Sequence, residues 1–264
     1  MSAKNKARSS GSDTEDDNEV KGSETELDVP LEKLNLGPRK KLRVMNLNGL
    51  LLLRLHRRAK NEIPNNLPPD ATYGNFLVFK RPFSEEFMKF CLERFEVGIW
   101  SSAMEHNIDA ALTYAIGALR RKLLFVWDQN QCTDSGFKSL EKSSKPLFFK
   151  ELSKVWDIIK KGGSYSASNT LLIDDKPYKA FLNPPNTAIF LESYKPGDCV
   201  DKALDPKGEL CSYLEGVYEA GDVQDYVKDR PFGQPALTCA HPDWEFYSKV
   251  IESINKKDDP HSSC

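Results

Sequence analysis

Short apolar runs ending in polar residues alternate along this chain with stretches whose apolar residues recur every three or four positions, and that alternation constrains the fold more than any other feature. The runs Lys41 to Leu47, Glu96 to Ser101, Leu123 to Trp127, Thr170 to Ile173 and Thr187 to Leu191 read as strands. Between and after them, four segments read as helices: Ser84 to Phe95, Asn107 to Leu119, Glu151 to Lys160 and Leu210 to Ala220. Their inward stripes are Phe87, Phe90 and Cys91; Ile108, Leu112, Ala115 and Leu119; Leu152, Val155, Trp156 and Ile159; and Tyr213, Leu214 and Val217. Such a strand–helix rhythm predicts an α/β fold, a mostly parallel sheet with helices on both faces.

Parallel sheets place ligands beyond the carboxyl ends of their strands. The residues there are Asn46 and Asn48, Ser101 and Ser102, and Asp174 and Asp175. Ser101 and Ser102 alone could be turn residues, and Asp174-Asp175-Lys176-Pro177 alone a turn with acidic helpers; three pairs at three strand ends point to one assembled site. The segments Arg54 to Gly74 and Asp128 to Ser144 read as small insertions around its mouth, where a partner peptide would be read.

Composition serves mainly to exclude. The formal net charge is −2, so no general affinity for nucleic acid or anionic membranes is expected. The longest apolar cluster, Leu50 to Leu53, is cut off by Arg54 and falls far short of the roughly 20 residues of a membrane span. Residues 1–36 form an expected disordered acidic tail, followed by one domain over 37–256 and a second disordered tail over 257–264. No apolar stretch follows Met1, and acids such as Asp13 and Glu15 argue against a mitochondrial presequence, so nucleus or cytoplasm is the expected compartment. Pro38-Arg39-Lys40-Lys41 reads first as a solvated lead-in to the first strand, with a nuclear signal as the alternative. Cys91, Cys132, Cys199, Cys211, Cys239 and Cys264 form no Cys-x-x-Cys pair and read as reduced thiols.

Lys80-Arg81-Pro82-Phe83, the run Phe95 to Ser102, Phe149-Lys150-Glu151-Leu152-Ser153 and Leu172-Ile173-Asp174-Asp175-Lys176-Pro177 follow one another in an order and spacing that resembles the CTD-phosphatase homology domain of the haloacid-dehalogenase (HAD) superfamily. That domain occurs in TFIIF-associating and small CTD phosphatases and in a receptor subunit of the mitochondrial inner-membrane import translocase. The resemblance covers roughly Leu34 to Ile254, and Tyr178 to Ile189 looks most like plant members. It implies a HAD-like Rossmannoid sheet and magnesium-assisted phosphoprotein phosphatase chemistry. The family's signature is Asp-x-Asp-x-Thr/Val at the first strand end; the matching stretch here is Asn46-Leu47-Asn48-Gly49-Leu50. By the same resemblance Ser101 and Lys150 bind phosphate, while Asp174 and Asp175, with a weakened Asn46, would hold magnesium.

An amide has neither the nucleophilic oxygen needed to form an aspartyl phosphate nor a titratable proton for acid–base work. Loss of the acid–base group alone costs roughly a hundred- to ten-thousand-fold in rate. Magnesium prefers one or two carboxylates in its shell, so its binding is expected to weaken. The resulting expectation is a pseudophosphatase that binds phosphorylated protein segments or acts as a scaffold. One alternative is an active magnesium-dependent phosphoserine phosphatase, against which stands the lack of any Asp, Glu or Cys in the first loop. A further alternative is an import-receptor-like subunit. His56, among Arg54, Arg57 and Arg58, reads as a solvated loop residue and His106 as structural; Tyr165 and Gly162-Gly163 read as a flexible connection, and the four tryptophans as core or sheet cover.

Overall fold

The computed structural model describes residues 40–64, 67–161, 164–197 and 201–258. The expected acidic tail, Gly162-Gly163, Cys199 and Cys264 lie outside the described residues. Strand β1 (Leu42–Met45) is fully buried and forms the centre of a five-stranded sheet. Its partners are β5 (Glu96–Trp100), β6 (Phe125–Trp127), β9 (Thr170–Asp174) and β10 (Ala188–Phe190), in the order β10-β9-β1-β5-β6. Every pairing is parallel. Burial on both faces explains the nearly unbroken apolar sequences of β1, β5 and β9.

Helices flank both faces. On one, α1 (Ser84–Arg94), α2 (Ile108–Ile116), α4 (Glu209–Glu219) and α5 (Val223–Asp229) pack into a core with Met45, Val97, Ile99 and Ile173. On the other, α3 (Leu152–Ile158) packs Leu152 and Val155 against Leu42, Val44, Trp100 and Leu172. Trp100 and Trp127 meet edge to face at 5.0 Å in this second core. The α/β reading and its parallel sheet are therefore correct, and so are the inward residues of the four expected helices. Boundaries differ by a few residues. The second helix is shorter than expected because Gly117 adopts φ +54 and the chain tightens into 3-10 turns over Gly117–Lys122.

The two insertions have more structure than the sequence suggested. Residues Leu52–His56 (β2), Ala71–Tyr73 (β3) and Phe76–Lys80 (β4) form an antiparallel sheet in the order β2-β4-β3. Thr133–Lys138 (β7) and Pro146–Phe149 (β8) form a hairpin. A last helix, α6 (Trp244–Asp258), runs two residues into the stretch expected to be a tail. Its Tyr247, Val250 and Ile254 are buried against Leu147, Phe149 and Tyr178. Among the described residues, no helix is long and apolar enough to cross a membrane.

Candidate functional site

The register of the central sheet decides where the site forms. Met45 lies level with Ile99 on β5 and with Ile173 on β9. The residues that follow, Asn46, Ser101, Asp174 and Asp175, therefore emerge together at one edge, and the Asn46 N–H donates to Ile173 O at 2.9 Å. A cleft of about 390 Å³ opens there. Asn46, Asn48, Ser101, Ser102, Asp175 and Lys179 line its floor, and Arg54, His56, Glu62, Glu141 and Lys142 from the two insertions line its mouth. A larger cleft of about 960 Å³, between Arg81, Leu210 and Phe232, contains none of the strand-end residues.

Lys150 and Asp174 are fully buried beneath the cleft. Lys150 Nζ donates to Asp174 Oδ2 at 2.6 Å and to Asn46 Oδ1 at 3.0 Å. Asp174 Oδ1 accepts the backbone N–H groups of Asp175 and Lys176 at 2.8 and 3.1 Å. The Asn46 amide nitrogen donates in two directions, to Asn48 O at 2.7 Å and to Asp175 Oδ1 at 2.6 Å. Its orientation is fixed by chemistry on both sides. An ammonium faces the oxygen, and two acceptors face the nitrogen; the flipped amide would oppose donor to donor and acceptor to acceptor. Asp175 Oδ2 accepts from Ser193 Oγ at 2.5 Å. The Asn48 side chain is held at the cleft by β2: its Oδ1 accepts the Arg54 N–H at 2.6 Å.

Gly49 makes this packing possible. Its φ is +89, and a Cβ there would fall 2.2 Å from Asp175 Oδ2. A side chain at this point would collide with the carboxylate and strain the turn.

Burial works to raise the Asp174 pKa, but Lys150 and Lys179 outweigh it and hold the carboxyl below its ordinary value, so it is ionised at neutral pH. Asp175 moves the opposite way, raised by burial and by the charge of Asp174. Burial lowers the Lys150 pKa, and Asp174 opposes that shift. Lys179 was not singled out in the sequence. Burial acts to lower its pKa, but Asp174, Tyr178 and Asp175 prevail and raise it. Its Nζ donates to Ser102 Oγ at 3.1 Å and lies 4.0 Å from Asp174 Oδ1. The available signal was Pro177, which starts the 3-10 turn Pro177–Ala180 and sends the chain back over the cleft.

Ser101 is buried, and its Oγ accepts the Ala103 N–H at 3.2 Å. His56 lies at the mouth, its Nδ1 accepting from the Arg58 N–H. His106 sits in the turn before α2, and Tyr165 is buried with its hydroxyl donating to Lys161 O.

The donor set as it stands does not fit a magnesium ion. Among the described residues no three His, Cys, Asp or Glu side chains converge as a metal-binding group. An N–H₂ group points at Asn48 O and Asp175 Oδ1, two oxygens otherwise suited to a hard cation.

The family profile of NLI interacting factor-like phosphatases matches residues 41–224. An uncharacterized FCP1 homology domain-containing protein of Schizosaccharomyces pombe is 26% identical over 234 residues, covering 83% of this chain and 88% of that protein. Among solved structures, the fission yeast RNA polymerase II CTD phosphatase Fcp1 bound to beryllium fluoride is 11% identical with a TM-score of 0.35, over 82% of this chain and 51% of that one. A second structure of Fcp1, an essential RNA polymerase II CTD phosphatase, is 13% identical with a TM-score of 0.37, over 85% and 66%. This chain thus spans about half and just under two thirds of the length of those two structures. The profile match, covering all five strands of the central sheet and the strand ends that build the cleft, shows that the chain belongs to the NLI interacting factor-like phosphatase family, the CTD-phosphatase homology domain of the HAD superfamily.

Proposed function

We propose that this protein is a pseudophosphatase that binds phosphorylated protein segments in the strand-end cleft and does not hydrolyse them. The observation that carries this reading is the pairing of amides at positions 46 and 48 with two lysines beneath and beside the same cleft. Lys150 and Lys179 suit a phosphate dianion, and the Ser101 and Ser102 hydroxyls suit its oxygens. Asn46 offers no carboxylate oxygen to attack phosphorus. Asn48 offers no proton, and its side chain is committed to the Arg54 backbone. The inserted strands, with Arg54, His56 and Lys142 at the mouth, suit an extended peptide. Phosphoproteins of the nucleus or cytoplasm are the partners this reading favours.

Turnover of p-nitrophenyl phosphate with magnesium tests the catalytic half, comparing the natural protein with the Asn46→Asp, Asn48→Asp double variant. The natural protein is expected to be inactive and the double variant active. Turnover by the natural protein that is lost in Lys150→Ala would sink the pseudoenzyme reading. Calorimetry with a phosphoserine peptide and its unphosphorylated twin tests the binding half: only the phosphorylated form should bind.

A further inference from the structure

We propose that the cleft takes its phosphorylated ligand without any divalent cation, because Asn46 Nδ2 and Lys179 Nζ are built-in replacements for one. This rests on the phosphate-binding reading above and goes beyond it, since it assigns the charge balance of the site to two named atoms.

Two observations carry it. The first is the Asn46 amide nitrogen, seated between Asn48 O and Asp175 Oδ1 at 2.7 and 2.6 Å. Each of its two hydrogens satisfies one of these oxygens. The fit is self-consistent, because Lys150 at 3.0 Å holds the amide oxygen on the opposite side. A cation entering between Asn48 O and Asp175 would meet N–H groups and would have to displace both hydrogen bonds. Rotating the amide to present its oxygen would turn its N–H₂ toward the Lys150 ammonium.

The second observation is charge. Asp174 faces two ammonium groups, Lys150 at 2.6 Å and Lys179 at 4.0 Å, and with the Asp175 carboxyl beside it the set is formally balanced. With carboxylates also at positions 46 and 48 the same set would carry an excess of two negative charges, and a dication would restore balance. Here both of those charges are absent, and Lys179 is only 7% exposed with its ammonium at the cleft wall. A buried ammonium beside Ser102 Oγ offers a phosphate oxygen the attraction a metal would otherwise supply.

The test uses the full chain and two probes, Mg²⁺ alone and phenyl phosphate. Calorimetric titration of Mg²⁺ should give no saturable heat with the natural protein and saturable heat with Asn46→Asp. Phenyl phosphate affinity should be the same in EDTA and in magnesium. Lys179→Met should lower that affinity about tenfold or more, by the usual strength of a charge-assisted hydrogen bond. Lys179→Arg should retain most of the affinity, with thermal unfolding confirming that both variants fold. Saturable Mg²⁺ binding to the natural protein, loss of phenyl phosphate binding in EDTA, or unchanged affinity in a folded Lys179→Met each overturns the proposal. Phenyl phosphate failing to bind in either buffer overturns the phosphate reading itself and the part given to Lys179. The magnesium titration then decides separately whether Asn46 closes the metal position.

Discussion

Asparagine and aspartate differ at position 46 by an amino group in place of an oxygen, and the surroundings turn that exchange into a different electrostatic design. Lys150 holds one end of the side chain, and Asp175 with Asn48 O holds the other. Gly49 fixes the depth at which Asp175 sits. Gly49→Ala forces a Cβ toward a carboxylate oxygen 2.2 Å away at a backbone angle of φ +89. It is expected to cost about 1–3 kcal/mol in urea unfolding, the usual range for a strained backbone position. The convergence of Asn46, Ser101, Asp174 and Asp175 was legible in the sequence because each follows an apolar strand. Lys179 was not, because its place depends on how the chain folds back after Pro177. The direction of the Asn46 amide was not legible either, since only its spatial neighbours determine it.

At the scale of elements, continuous apolar runs and three-to-four periodicity identified the central strands and the four helices packed on them. The antiparallel strands escaped because their residues alternate poorly. In β2, Arg54 lays its guanidinium over the Phe76 ring at 4.4 Å, so a charged residue contributes to the packing. In β7 the buried position is Ser135, whose hydroxyl bonds to Leu147 O, where an apolar residue would have signalled a strand. Helix α6 did carry a signal in the spacing of Tyr247, Val250 and Ile254. It lies beyond the part matched by the family profile, yet Tyr247 stacks on Tyr178, which also lines the cleft. Tyr247→Ala is expected to destabilise the protein by about 3–5 kcal/mol, as for other large buried aromatics. A loss below about 1 kcal/mol in chemical denaturation would show that α6 is a peripheral addition.

Across the whole molecule, the cleft lies where the sheet ends and the two insertions meet. Lys142 on the hairpin pairs with Glu62 beyond β2 at 2.5 Å, and Glu141 pairs with Lys176 beyond β9 at 2.5 Å. Both pairs are partly exposed to solvent, so they contribute little to stability. The double variant Glu62→Gln, Glu141→Gln should therefore unfold within about 1 kcal/mol of the natural protein. It also leaves Lys142 and Lys176 uncompensated at the mouth, and phosphopeptide association should be faster at low salt, with a steeper salt dependence. Stopped-flow rates that do not change would show that these lysines stand outside the approach path.

The bonds around Asn48 also bear on how the protein ages. Asn-Gly is the dipeptide most prone to spontaneous deamidation, in which the glycine nitrogen attacks the side-chain carbonyl and expels ammonia. Here the Gly49 N–H is engaged with Leu52 O at 2.7 Å, and the Asn48 side-chain oxygen is held by the Arg54 N–H at 2.6 Å. The nitrogen and the carbonyl carbon are kept from meeting, so the folded protein guards itself against a slow reaction that would place an acid back at position 48.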